Sequence, residues 1–493
     1  MTAHTQPGEG IALVDQSFVQ DQVADKDALV RFGIANAPSV RFSLASLPSF
    51  LPLIFMFLAT STVVFLSVCT PPFQTPDEDV HFKRAYQVSN GILFHADGGE
   101  VDEAIDEAIS PYSQLPHNTE VKLTAANEDA GARVKWTGKK VYRVFATSSY
   151  APTGYIPQAL GIVLGRLMNL SVVSTLLLSR LLNGAFAISI STLALCWCGR
   201  GRLVMFTILL MPMTMSLFGS CNQDASTISL ACLAFAILSR QIEEDRPFSL
   251  RMSVAFALTL LVISIARPPY AAFLLAFLIP GILPQSSRLP GWLSKLLFIG
   301  LPFVLTSAWW FAAILSTKAK YQLPGIYGTV DPKAQLLFVF HHPGVLLATL
   351  GKSQIYVTLL AGIIANLGWL DTKMPFYYYM VMILILLVAM TGEIAYRGRF
   401  RRSAMVSMFL ATPIAAAGII FSAYLLWDAV GSEILLGVQG RYFIPLVIAV
   451  GVVLPPLHRS DRLYRWLTAV IVCSQVITFI QLPWTLIKRY YLR

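Results

Sequence analysis

Runs of about 20 mostly apolar residues, the length of a helix that crosses a bilayer, recur along this chain between short charged or proline-broken stretches. The first is Phe50 to Val68; the second, about Val173 to Trp197, ends in the basic sequence CGRGR. Others cover about Leu203–Gly219, Ser226–Leu238, Met252–Ala266, the residues from ARPPY to QSSRLPGWLSK, and Leu296–Leu315. They resume at Phe376–Met390, between YRGRFRR and Trp427, at Tyr442–Pro455, and in a last run ending near Ile487. Lys and Arg favour the cytosolic ends of spans, and one register puts CGRGR, SRQIEEDRPFSLR, YRGRFRR and HRSDRLYR all on that side. Pattern and charge predict an all-α integral membrane protein of about eleven transmembrane helices, N-terminus inside and C-terminus outside.

That register turns on Ser148–Leu170, SSYAPTGYIPQALGIVLGRLMNL. Counted as a span, it would place Arg200 and Arg202 outside and invert most later clusters. Its prolines, Pro152 and Pro157, and its tyrosines suit an interfacial segment over residues 151–170 instead. Residues 1–47 are polar and read as a disordered cytosolic tail rather than a signal peptide, leaving 48–493 as the membrane domain. Residues 70–150, rich in acids, form a large first extracytoplasmic loop, and 316–375 a second outer loop. No internal repeat is seen, which disfavours an inverted-repeat transporter.

Composition agrees: 55% of the 493 residues are hydrophobic, more than a soluble core of this size would bury. The net charge of +10 would invite a nucleic-acid partner, but the basic residues sit in short clusters between apolar runs, so the expected surroundings are membrane lipids. The six cysteines show no metal-site spacing with histidine; a Cys69–Cys221 disulfide is conceivable, but small buried hydrophobes is the favoured reading. There is no Walker loop, dinucleotide fingerprint, nucleophile elbow or HExxH, and the adjacent His341 and His342 read as loop residues.

Chemistry concentrates in PPFQTPDEDVHFKRAYQ, residues 71–87, directly after the first span. Ionisable groups are costly at a bilayer edge, and the chain is only 13% charged. Thr75-Pro76-Asp77-Glu78 has the form of a capping box, which would occupy Thr75 and Glu78 and leave Asp77 free. On the helix that follows, Asp77, His81 and Arg84 share a face at i, i+4 and i+7, a base beside cationic groups. The same outer face is expected to collect Tyr150, Arg180, Asp224, Arg267, Asp371, Gln439 and Arg441. Arginines at such positions either snorkel and pair with acids or hold a phosphate bidentately, and both readings stand for Arg180, Arg267 and Arg441. Tyr150, Tyr155 and Trp369 are candidates for stacking on sugars, although interfacial aromatic residues more often anchor the protein.

PPFQTPDEDVHFKRAYQ, SSYAPTGYIPQALG, LSRLLN, LGWLDTKMP and VQGRYFIPL together resemble the domain-of-unknown-function 2142 family of predicted bacterial membrane proteins, from about residue 50 to the C-terminus. An acidic pair in the first outer loop of a many-helix bundle is also, more distantly, similar to the GT-C class of membrane glycosyltransferases. That likeness implies an inverting transfer of a sugar from a polyprenyl-phosphate donor to a cell-envelope glycan or lipid acceptor, in the bacterial inner membrane. It implies Asp77 and Glu78 as the catalytic acids, the base being one of them; the placement of the outer-face residues makes His81, Arg84, Tyr150, Arg180, Asp224, Arg267, Gln439 and Arg441 the expected donor-binding set. Asp79 and His81 have no general counterpart in that class. Metal dependence varies within it, so no metal is assigned and a divalent cation stays open. The alternatives are a flippase or polymerase of lipid-linked glycans, or a non-catalytic envelope-assembly subunit.

Overall fold

The computed structural model describes residues 45–95, 97–283, 290–316, 330–352 and 355–492. The cytosolic tail expected over residues 1–47 lies almost wholly outside the described residues. From Leu47 onward the chain is one compact helical unit.

Seven helices are long and apolar enough to cross a bilayer: α1 (Leu47–Cys69), α4 (Val172–Trp197), α5 (Asp224–Glu244), α7 (Gly291–Ser316), α8 (Phe376–Ala395), α9 (Arg402–Trp427) and α10 (Asp461–Tyr490). Between α1 and α4 lie the shorter α2 (Glu78–Ser89) and α3 (Ile156–Leu167), and α6 (Leu250–Ala266) follows α5. A helix pair bent by 95°, Pro332–His341 with Val345–Gly351, would make an eighth span if it crosses as one. The remaining apolar runs fold as shorter pieces. Leu203–Gly219 is two helices, Arg202–Leu209 and Pro212–Phe218, because Pro212 has no N–H to donate and disfavours a helical residue before it. Every residue from Leu203 to Phe218 is buried, so the break is held within protein, where neighbouring groups can satisfy the freed backbone. The run after ARPPY begins as the 3-10 helix Pro268–Leu278, and Tyr442–Pro455 contains the helix Ile444–Val453. Seven or eight spans, rather than eleven, therefore meet the length of a membrane-crossing helix among the described residues.

Serines start several helices. Ser171, Ser249 and Ser460 each accept the backbone N–H three residues on, the usual cap of an otherwise unpaired helix terminus. α3 lies against α4 through Gly161 and Gly165, where a Cβ would come within 2.5 Å of Ser179 and 2.6 Å of Thr175. Small residues at this spacing let helices meet almost backbone to backbone. The other face of α3 presents Ile156, Leu160 and Leu167 outward.

Residues 70–150 fold over one end of α4 as a small unit with its own core. Phe73, Phe82, Tyr86, Val101, Ile105 and Tyr112 pack together and onto Tyr155, Ile162 and Leu176. An antiparallel pair, β1 (Gly99–Asp102) and β2 (Lys140–Arg143), closes it, Gly99 opposite Arg143. Several acids of GGEVDEAIDEAIS are used internally: Asp102 accepts the Ala104 and Gly138 N–H groups, and Asp106 pairs with Lys83 and Arg143. The strands β3 (Asn366–Leu367) and β4 (Thr372–Lys373) form a second short pair around Gly368. All six cysteines are free, so the Cys69–Cys221 disulfide is not formed. His341 is the last residue of a helix rather than part of a loop.

Candidate functional site

The adjacent acids after α1 have different environments. Helix α2 starts at Glu78, and Asp77 is its N-cap, in the left-handed region at φ 60°, ψ 18°, with no side-chain capping bond. The capping box expected from Thr75 to Glu78 is not made. The Thr75 hydroxyl is buried without a partner: the Glu78 N–H bonds the Thr75 carbonyl at 3.2 Å, and the Glu78 carboxylate is drawn to Arg180. Non-glycine residues occupy the left-handed region at a cost, Asp more readily than most, and this turn sends neighbouring side chains in different directions.

Glu78 is fully buried and saturated. Its Oε1 accepts from Arg180 Nε and from the Cys221 N–H, both at 2.8 Å, and its Oε2 from Arg180 Nη2 at 2.5 Å. Arg180 also donates to the carbonyls of Ser67, Thr70 and Pro71, at 2.8 to 3.0 Å. A guanidinium has five N–H donors, and all five are used here. This knot ties the end of α1, the start of α2, the middle of α4 and the turn before α5 together. Arg84 is buried in the same manner: it donates to the carbonyls of Tyr150, Ile92 and Leu93 and to the Gln87 amide oxygen, and so braces the loop.

Asp77 points the other way, into a row of alternating charges. Its Oδ2 accepts from Arg441 Nη2 at 2.7 Å, with the Asp77 side chain 38% exposed and that of Arg441 only 1%. Arg441 Nε stands 3.4 Å from Asp224 Oδ2 without a hydrogen-bond geometry, and its Nη1 has no partner. Asp224 Oδ1 accepts from Arg267 Nη2 at 2.6 Å, and Arg267 lies 3.7 Å over the ring of Tyr442. Asp224 is the first residue of α5, where a helix N-terminus favours an anion. Arg267 ends α6 just before the Pro268-Pro269 break. Arg441 is carried in by Gly440: a Cβ there would meet the Leu359 carbonyl at 2.1 Å, so only glycine brings this turn against the helix Ile355–Ile364.

Aromatic side chains wall this row. His81 Nδ1 and the Tyr155 hydroxyl share a 2.6 Å hydrogen bond, and Tyr150 packs on both His81 and Trp310. Burial pushes the His81 imidazole down to about 4, against the pull of Asp77 and Asp224 in the other direction, so it is neutral at pH 7. Burial also raises the Tyr150 and Tyr155 phenols, which stay protonated donors, and it raises the Asp79 carboxyl against the opposing charge of Lys83.

Of the residues singled out in the sequence, the fold thus gathers Asp77, His81, Tyr150, Asp224, Arg267 and Arg441 in one place, and sets Glu78 with Arg180, and Arg84, into structural clamps. Gln439, next to the Gly440 turn, keeps its Oε1 buried and unpaired. Asp371 lies elsewhere, accepting from Arg489 and the His117 N–H, while the Trp369 indole donates to the Phe73 carbonyl. Sequence reasoning missed Gln223, buried with both amide atoms unpaired, and the ring of Tyr442. Gln223 was visible in principle, as part of the polar CNQD between two apolar runs. Among the described residues, no group of three or more His, Cys, Asp or Glu side chains could hold a metal ion.

A row of buried charges with unspent donors beside a half-open carboxylate can take a proton at Asp77 and bind an anion at the arginines. The chain belongs to a family of multi-pass membrane proteins: the model described as predicted membrane protein (DUF2142) matches residues 60–450. No curated protein and no solved structure matches it.

Proposed function

We propose that the chain is an inverting membrane glycosyltransferase, with Asp77 as general base and Arg441 and Arg267 as the phosphate-binding pair. The observation that carries this reading is the asymmetry of the two acids: Glu78 is spent on Arg180, whereas Asp77 is open and held by an arginine with donors to spare. In the reaction, Asp77 takes the proton of an acceptor hydroxyl as its oxygen attacks the anomeric carbon from the face opposite the phosphate. The bond from that carbon to the phosphate oxygen breaks, and polyprenyl phosphate leaves with one more negative charge than the donor diester had. Guanidinium groups aimed at that developing charge stabilise it more than they stabilise the donor, which is the condition for raising the rate. Protonated Tyr150 and neutral His81 add hydrogen-bonding capacity without adding charge.

On this reading the donor's isoprenoid tail enters from the bilayer and its phosphate stops at the row of charges. The site faces outward from the bacterial inner membrane, and the acceptor is an envelope glycan or lipid. The test is reconstitution of the purified protein with radiolabelled polyprenyl-phosphate sugars and a membrane extract as acceptor. Transfer by the wild type and none by Asp77→Asn is the expected result. Binding of the lipid with no transfer across the common donors would overturn the proposal in favour of carriage of lipid-linked glycans.

A further inference from the structure

The far end of α5 carries a second arrangement that the proposed transfer does not use. Asp224 opens this helix and Glu244 ends it, so the residues around Ile242 lie roughly 27 Å along its axis from the row of charges. There, four arginines, Arg397, Arg399, Arg401 and Arg459, line a pocket of about 210 Å³ with a single acid, Asp245. Asp245 stands 3.4 Å from Arg399, and Asp461 takes Arg397 at 3.0 Å. Both pairs are more than half exposed, so they hold their arginines weakly against a competing anion. Arg459 is exposed and makes no hydrogen bond or ion pair with any described residue.

Alongside runs a groove of about 340 Å³ between Leu275–Pro280 and the first turns of α9. Its walls are mostly aliphatic, with Ser403 and Ser407 among them, and Leu278, Val406 and Leu410 are 50 to 54% exposed along it. Groove and pocket meet at Arg401: its guanidinium donates to the carbonyl of Pro280, which lines the groove, and Ser403, two residues on, lines it too. Basic residues at a helix end are explained by the orientation of spans. An apolar groove that opens onto them is not. Guanidinium groups bind phosphate bidentately, and the charge here is in excess on the protein side.

We propose that this pair of cavities binds one phosphate-headed lipid, its phosphate among Arg401, Arg459 and their neighbours and its chain in the groove between Pro280 and Leu410. The site is independent of the glycosyltransferase reading and stands if that reading fails.

Native mass spectrometry of the full chain in detergent tests it, with phosphatidic acid, phosphatidylcholine and inorganic phosphate as separate probes. The wild type is expected to hold one phosphatidic acid at least tenfold more tightly than phosphatidylcholine, with inorganic phosphate failing to displace it at equal concentration. The double variant R401Q/R459Q, which removes charge, and V406W, which fills the groove and leaves every charge in place, should each weaken that binding at least tenfold. Retention of wild-type affinity by either variant would overturn the proposal, as would equal binding of phosphatidylcholine or displacement by inorganic phosphate. Arg459 and Val406 are exposed and Arg401 is half-buried, and the thermal midpoint of each variant reports whether it has folded.

Discussion

Two neighbouring carboxylates, Glu78 and Asp77, each meet a buried arginine, and the two pairs differ in what is left over. In the Glu78–Arg180 knot every guanidinium N–H has an acceptor, two on the carboxylate and three on backbone carbonyls. In the Asp77–Arg441 pair, Nη1 and Nε lack hydrogen-bond partners, and the acid is open to its surroundings. A buried polar group without a partner costs on the order of 1 to 3 kcal/mol, more when charged, so a fold that keeps several together is holding donors for something else. The saturated knot holds segments in place; the unsaturated row is available to a ligand.

Exchanging the roles of the two acids is the strongest test of that difference. Asp77→Asn is expected to lower transfer by about 10² to 10⁴, the usual contribution of a general base, with only a small drop in thermal midpoint because Asp77 is partly exposed and Arg441 keeps Asp224 at 3.4 Å. Glu78→Gln should do the opposite in kind, destabilising the protein by roughly 3 to 5 kcal/mol because a buried arginine loses its counter-charge. Denaturation in detergent together with a transfer assay separates the two, and equal behaviour of both variants would dissolve the distinction. The paired change Glu78→Leu with Arg180→Met sharpens it further. Removing both charges at once should recover part of the stability that either single change loses.

A smaller effect is expected from Arg441→Lys, which keeps the charge but loses the planar fork. The apparent affinity for a polyprenyl-phosphate donor should fall about tenfold, with folding intact. A comparable loss from Lys substitution at Arg267 would show that the two act as a pair. The smallest effect is expected on acidification. His81 titrates near 4 in the folded protein and near 6.5 when unfolded, so the unfolded chain binds the extra proton between those values. Stability should be unaffected by this residue above pH 6.5 and fall progressively as the pH drops toward 4. His81→Gln should flatten that slope in a series of thermal melts.

Much of the fold was legible because it depends on local pattern. The apolar runs that became α1, α4, α5, α7, α8, α9 and α10 are long, and their length and hydropathy are properties of contiguous residues. Legibility failed where proline cut a run inside the protein, as at Met211-Pro212, since a hydropathy window does not register a missing N–H. Residues 70–150 read as an acidic loop, yet their strands and core come from pairings between distant residues such as Gly99 with Arg143. In the site, residue types were legible and partners were not. Asp77 and Glu78 differ by one position in sequence, and only the left-handed turn at Asp77 separates their roles. The arginine that each acid takes, 102 residues away for Glu78 and 364 for Asp77, follows from packing that no spacing rule encodes.

The distance of 364 residues between Asp77 and Arg441 also has a bearing on synthesis. At about 5 to 20 residues per second, the ribosome delivers the arginine roughly 20 to 70 s after the carboxylate. Asp224 and Arg267 arrive in between, while the knot of Glu78 with Arg180 can close as soon as Cys221 has emerged. A nascent chain can therefore close the Glu78–Arg180 knot while still lacking the cation that holds Asp77.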